Sequence, residues 1–216
     1  MRKGIYEGVK KHSQFLTGRI LDFGCGSKPY KSLFTYTEYI GLDFDNPGHP
    51  HDNEEIDIFY DGKRIPLEDN SIDGVLCSEV FEHVFNLEHI LKEINRVMKP
   101  GAHILITCPF VWKEHEEPYD YARYTLFALE DLLTKNNFEK VVLDKGGNFA
   151  DTLSQLNTLF FFDKFSGKAH KYGFTKKLFY SAFIPFLNLS GIIFGKLFKG
   201  NTKLYLNNIV VFRKPD

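Results

Sequence analysis

Two short apolar runs constrain this chain most: Arg19–Gly26 (RILDFGCG) and Tyr39–Asp45 (YIGLDFD), about twenty residues apart. The first run reaches Asp22 and opens into a tight Gly-x-Gly turn at Gly24 and Gly26; the second ends in Asp43 and Asp45. Glycines at such a turn let the backbone bend sharply and approach a ligand closely. A carboxylate that ends the next strand reaches a ribose diol at the carboxyl edge of a parallel sheet. The same spacing serves a dinucleotide, but the third glycine of a G-x-G-x-x-G pattern falls on Pro29, which argues against a pyrophosphate fingerprint.

Further apolar runs predict strands at Arg19–Phe23, Tyr39–Asp43, Ile56–Tyr60, Ile72–Cys77 and Ala102–Cys108, with Val141–Leu143 and Lys203–Arg213 as two more. Leu87, Ile90, Leu91, Ile94 and Val97 recur at helical spacing within Asn86–Met98. Thr125–Asn136 reads as another helix with Thr125 as its N-cap. Lys99-Pro100-Gly101 is expected to stop the first helix and start the next strand. Strands alternating with helices imply a parallel, doubly wound α/β sheet.

With these runs in place the chain resembles the class I S-adenosylmethionine (SAM)-dependent methyltransferases. Asp61-Gly62, in DGKRIPLEDNSID, looks like that family's adenine-side acidic motif. Val75–Val84 (VLCSEVFEHV) is similar to its fourth strand and following turn, and Glu93–Phe110 (EINRVMKPGAHILITCPF) to its helix, turn and fifth strand. The resemblance runs from Ile20 to Lys145 and departs from the fuller glycine pattern at Ser27-Lys28. It implies SAM as cofactor and a Rossmann-like methyltransferase fold with a seven-stranded, mostly parallel sheet. The small-molecule, ubiquinone- or menaquinone-like branch is its nearest part. Residues 1–216 are expected to form a single methyltransferase domain, with a helical insertion at 146–202 between the last two strands.

The resemblance gives the site residues their expected roles. Asp22 orients the cofactor's amino-acid end, or else caps its own turn; Gly24 and Gly26 form the cradle. Asp43 is the ribose acid, with Asp45 able to share or replace it. Asp61 and Gly62 lie by the adenine amine, an ordinary turn aspartate being the alternative. Ser78 and Glu79 line the pocket after the fourth strand, although Glu79 also reads as a solvated loop acid. Methyl transfer needs an aligned nucleophile, and a base only where the acceptor must lose a proton. His115 is the candidate for that base, while His83 reads as a pocket-wall residue.

His115 lies in Phe110–Thr125 (FVWKEHEEPYDYARYT). There Trp112, Tyr119 and Tyr124 suit a sugar ring, and Arg123 suits a carboxylate or phosphate. The alternative is an Asp120–Arg123 pair that ties down a loop. This block is also similar to one in methyltransferases of bacterial surface-polysaccharide gene clusters. Cys25, Cys77 and Cys108 show no metal or disulfide spacing and read as small core residues; no metal is expected.

Residues 1–163 carry 17 basic and 27 acidic side chains, whereas 164–215 carry 10 basic and none acidic. Ten phenylalanines fall between Phe160 and Phe198. Leu178–Gly195 is uncharged, but Pro185, Asn188, Ser190, Gly191 and Gly195 argue against a membrane span and for two short helices hinged near Pro185. Residues 164–200 then either dock on an anionic membrane or pack inward as a lid or dimer surface. The N-terminus lacks a signal-peptide run, so the chain is expected in the cytoplasm, at the inner membrane face if the insertion docks.

The leading reading is a SAM-dependent methyltransferase acting on a hydroxyl of a small molecule, glycan or glycolipid precursor. The alternatives are methylation of a quinone-like ring and a non-catalytic SAM-binding module. Mingled lysines and phenylalanines without a reading motif exclude a nucleic-acid partner.

Overall fold

The central apolar runs, within Thr17–Phe23, Ile72–Ser78 and Met98–Pro109, become strands because they are buried on both faces, as parallel sheets require. The computed structural model describes residues 2–44, 54–166, 174–198 and 200–216. Its strands are β1 (Thr17–Phe23), β2 (Thr35–Phe44), β3 (Ile58–Tyr60), β4 (Ile72–Ser78), β5 (Met98–Pro109), β6 (Glu139–Gly146) and β7 (Asn207–Arg213). They form one seven-stranded sheet in the order β3-β2-β1-β4-β5-β7-β6. β1 pairs in parallel with β2 and β4, β2 with β3 and β4 with β5, while β7 runs antiparallel to β5. The parallel part is what the alternating pattern predicts, and the whole is the seven-stranded, mostly parallel sheet that the resemblance implies.

Chain order reverses between β1 and β4, so the loops after these strands meet at the topological switch point where open α/β sheets bind ligands. Helix α2 (Leu87–Val97) seats all five of its predicted apolar residues in the core. Helix α3 (Leu126–Lys135) begins as expected, with the Thr125 hydroxyl accepting from the Ala128 amide at 3.1 Å. An additional helix, α1 (Arg2–His12), buries Ile5 and Val9 at i,i+4 spacing. Cys25, Cys77 and Cys108 are buried free thiols.

The helix stops and the strand starts at Lys99-Pro100-Gly101 as expected, but the strand boundary moves: the segment lies inside β5, which begins at Met98 and not at Ala102. The C-terminal strand supplies the reason. Gly101 N–H donates to the Lys214 carbonyl and Lys214 N–H to that of Ala102, both at 2.9 Å, so the segment is paired as sheet. The extra residues are absorbed by a register shift against β4 between Ile72 and Gly74.

The chain divides into two compact units, residues 145–206 and residues 2–144 with 207–216. The smaller unit contains α4 (Phe149–Ser166) and α5 (Phe174–Leu197). Here the two-helix expectation is corrected: α5 runs through Pro185 as one helix of 24 residues. A proline removes a single helical hydrogen bond, a loss that a long helix tolerates. Gly191 and Gly195 face α4, where a Cβ on Gly195 would lie 1.8 Å from Asp151 Oδ1 and one on Gly191 2.7 Å from Ser154 Cβ. Asn148 and Asp151 start α4 with reciprocal side-chain to backbone bonds of 2.9 and 3.0 Å. Among the described residues, no helix is long and apolar enough to cross a membrane.

Candidate functional site

At the end of β1 the chain turns with φ of +73° at Gly24 and +44° at Gly26. A Cβ on Gly24 would sit 2.3 Å from Val80 Cγ2, so this turn packs against the loop after β4. Gly24 and Cys25 N–H both donate to the Leu42 carbonyl, at 2.8 and 3.1 Å. Asp43 Oδ2 accepts from Gly26 N–H and Oδ1 from Phe44 N–H, each at 2.8 Å. A carboxylate offers about four acceptor positions, which leaves two for a diol. The Gly–Asp pair thus fits a nucleoside ribose by its own donor set. Asp45 lies outside the described residues.

Lys28, where the family often has a third glycine, adopts φ +52°. Its stem crosses Gly41, whose added Cβ would meet Lys28 Cε at 2.2 Å, and its ammonium pairs with Asp57 at 2.8 Å. Asp57 also accepts from Gly41 N–H at 2.6 Å. Sequence reasoning missed this pair because Lys28 and Asp57 belong to different loops. The left-handed backbone at Lys28 costs a non-glycine residue about 1–2 kcal/mol.

Asp22 is 2% exposed and accepts from the Tyr39 hydroxyl at 2.6 Å. Burial pushes its carboxyl up to about 7, against the lowering effect of the Tyr39 bond. Asp61 is an exposed turn aspartate, accepting from Lys63 N–H at 2.9 Å and Arg64 N–H at 3.4 Å, and Gly62 follows with φ +80°. Both sit just past β3, at the carboxyl edge of the sheet. The Ser78 hydroxyl lies 2.8 Å from that of Thr107 on β5. Glu79 is not a solvated acid: Asn207 Nδ2 donates to its two oxygens at 3.1 and 2.9 Å, and burial pushes its carboxyl up to about 7. Its φ of +57° is a strained value of the kind that clusters at functional sites.

The β4–β5 pairing, Ser78 opposite Thr107, brings the following loops side by side. His83 Nε2 and His115 Nε2 consequently approach to 3.2 Å, although 32 residues separate them in the chain. His115 Nδ1 lies 3.1 Å from Asp120 Oδ2, and Arg123 holds that carboxylate in a fork at 2.5 and 2.6 Å. The Arg123 hydrogen bonds bring Asp120 down to about 2, against the opposing effect of burial.

Arg123 is therefore corrected from an acceptor-binding residue to a clamp. Its remaining donors serve the carbonyls of Trp112, Lys113 and Ala122, so all five N–H groups are satisfied within the protein. The Tyr119 carbonyl lies 2.8 Å from His83 Nδ1, the Tyr124 ring packs on the core, and Trp112 is half-buried.

Residues 21–106 match the family described as "Methyltransferase domain". The phthiotriol/phenolphthiotriol dimycocerosates methyltransferase 1 of Mycobacterium ulcerans is 29% identical over 113 residues, 48% of this chain and 42% of that protein. The chain spans less than half the length of the curated relatives it matches. Phosphoethanolamine N-methyltransferase 2 of Haemonchus contortus, solved in complex with SAM, superposes with a TM-score of 0.57 at 19% identity. That superposition covers 99% of this chain and 53% of the other. The cyclase SpnF superposes with a TM-score of 0.61 at 17% identity, covering 98% of this chain and 80% of the other. Over residues 21–106 the chain is thus similar to SAM-dependent methyltransferases, and its sheet shares their Rossmann-like fold.

Proposed function

We propose that this domain methylates a hydroxyl of a glycan or glycolipid precursor in surface-polysaccharide synthesis, working at a membrane face. The observation that carries methyl transfer is the convergence at the switch point of the Gly24–Gly26 turn with Asp43 and of the loops after β4 and β5. SAM supplies an electrophilic methyl on a cationic sulfur. The chain's residues do the rest. Asp43 accepts the ribose hydroxyl protons, Asp61 and Gly62 border the adenine, and Ser78 and Glu79 line the wall after β4.

On the acceptor side, His115 is the residue that prepares the hydroxyl. Its Nδ1–H donates to Asp120, which fixes the tautomer and leaves Nε2 to take the hydroxyl proton as the C–O bond forms. Trp112, Tyr119 and Tyr124 offer the aromatic faces that sugar rings favour. A lipid-borne acceptor draws support from the dimycocerosates named in one relative and from the exposed apolar face of α5. Lysines and the absence of acids over 164–215 complement anionic headgroups.

The fold also hosts a cyclase, so activity has to be measured. Methyl-labelled SAM incubated with the protein and cell-envelope extract should label a glycan or glycolipid fraction. His115→Ala should lower turnover about 10²–10⁴-fold while leaving SAM affinity within about twofold. A parallel loss of affinity would place His115 in the structural shell instead.

A further inference from the structure

The side chains beneath His115 are arranged in a way that proton transfer alone does not require. Glu82 is 0% exposed, and its Oε1 has no hydrogen-bond partner among the described residues. Its Oε2 accepts from the Cys108 thiol at 3.9 Å. An unpartnered buried carboxylate oxygen is costly and calls for a partner that the protein itself does not supply. The carboxylate lies against two imidazoles. His83 Nδ1 is 2.8 Å from the Tyr119 carbonyl, which only accepts, so Nδ1 carries the hydrogen and Nε2 a bare lone pair. His115 Nδ1 likewise points at Asp120 Oδ2, whose charge Arg123 holds in place. The two bare Nε2 atoms then face each other at 3.2 Å, with the rings edge to face at 74°. Two lone pairs cannot bond to each other, so an electrophile belongs between them.

We propose that Glu82, His83 and His115 bind a divalent first-row metal ion of the Zn²⁺ or Mn²⁺ class through Oε1, Nε2 and Nε2. The three ligand atoms already lie within 4.8 Å of one another. Metal–nitrogen bonds of about 2.0–2.1 Å at a tetrahedral angle put two ligand atoms about 3.3 Å apart, close to the observed 3.2 Å. Glu82 Oε1 stands 3.9 Å from His83 Nε2 and closes by a small carboxylate rotation. The Tyr119 carbonyl and Asp120 are the outer acceptors that orient metal-binding imidazoles. Two imidazoles and one carboxylate suit a transition metal better than Mg²⁺ or Ca²⁺, and they leave a position for an oxygen ligand. Glu116 Oε2, 3.8 Å from His83 Nε2, flanks the same site.

One part rests on the proposed hydroxyl methylation: the open position would take the acceptor oxygen. The O–H bond would then break on coordination, its proton passing to water, and His115 would act as a ligand instead of as the proton acceptor.

The test uses the full chain, stripped with EDTA and titrated with Co²⁺ and Zn²⁺ in the absence of SAM and acceptor. Binding of one equivalent is expected, with a visible Co²⁺ spectrum that Zn²⁺ abolishes. Asp120→Asn should weaken binding about 10–100-fold, and loss of a direct ligand in His83→Ala or Glu82→Gln should weaken it further. Circular dichroism verifies that each variant is folded. Co²⁺ and Zn²⁺ binding the folded wild type no more tightly than His83→Ala overturns the site and assigns a shared proton to the histidine pair. This readout is independent of methyl transfer, so failure of one leaves the other standing. Full methyl transfer by the stripped enzyme would overturn the acceptor's coordination and return the proton to His115.

Discussion

The sheet unit and the helical pair treat the same kind of residue in opposite ways. Around β4 and β5, Leu76, Phe81, Ile104 and Ile106 are fully buried. Along α5, Phe186 is 64% exposed, Leu189 58% and Leu197 72%. The difference is one of partners. A doubly wound sheet buries its strands between helices that the same chain supplies, so apolar periodicity and final burial coincide. Helix α5 is apolar nearly all round and α4 covers only one side of it. A surface of that kind marks an interaction site, and the acid-free sequence around it is what the proposed contact with an anionic membrane rests on.

The contrast should show most strongly in stability. Phe81→Ala, which opens a cavity in the sheet unit, should cost about 3–5 kcal/mol by urea unfolding. A smaller cost would mean that the site collapses around the void. Next is a gain. Because Asp22 titrates near 7 when folded, against an ordinary 3.8, the folded state keeps a proton that the unfolded chain loses between about pH 4 and 7. Stability therefore falls as pH rises through that window, and the loss is complete above it. Asp22→Asn should be nearly neutral at pH 4 and stabilising by up to about 4 kcal/mol at pH 8. A gain that does not grow with pH would mean that the carboxylate is hydrated.

Asp43→Ala should weaken SAM binding by about 1.5–3 kcal/mol, roughly ten- to a hundredfold by calorimetry, with the fold intact. Unchanged affinity would move the ribose contact to Asp45. The smallest effect sharpens the comparison most. Phe186→Ala should alter stability by no more than about 0.5 kcal/mol, yet reduce sedimentation with anionic liposomes at low salt. A cost like that of Phe81→Ala would show that another protein surface, such as a second copy, covers the face. Wild-type protein that never pellets would remove the membrane from the account.

Much of the sheet unit was legible because its signals are local. The run at Ile72–Cys77 and the five apolar positions of α2 need only a period and a partner. The strand start at the Lys-Pro-Gly segment was placed too late because its partner, Lys214, lies more than a hundred residues away and converts a nominal turn into paired strand. The site divides along the same line. The Gly24–Asp43 cradle spans two neighbouring motifs. Glu82, His83 and His115 meet only through the β4–β5 register, and Arg123 looked like a ligand group because its internal acceptors are mostly backbone carbonyls. The adjacency of loops that follow neighbouring parallel strands was the available signal for the histidine cluster. In α5 no periodicity existed to read.

The seam at Gly191 and Gly195 carries a further consequence. At 3.6 residues per turn, Phe186, Leu189, Ile193 and Leu197 fall on the side of α5 opposite these two glycines. The glycines therefore act as a rotational key: pressed against Ser154 and Asp151, they allow the helix one orientation about its axis. A single methyl group at residue 195 would have to turn or lift the helix, re-aiming the whole apolar stripe while leaving its composition untouched. Which way this surface looks is thus written in the two positions of the helix that have no side chain.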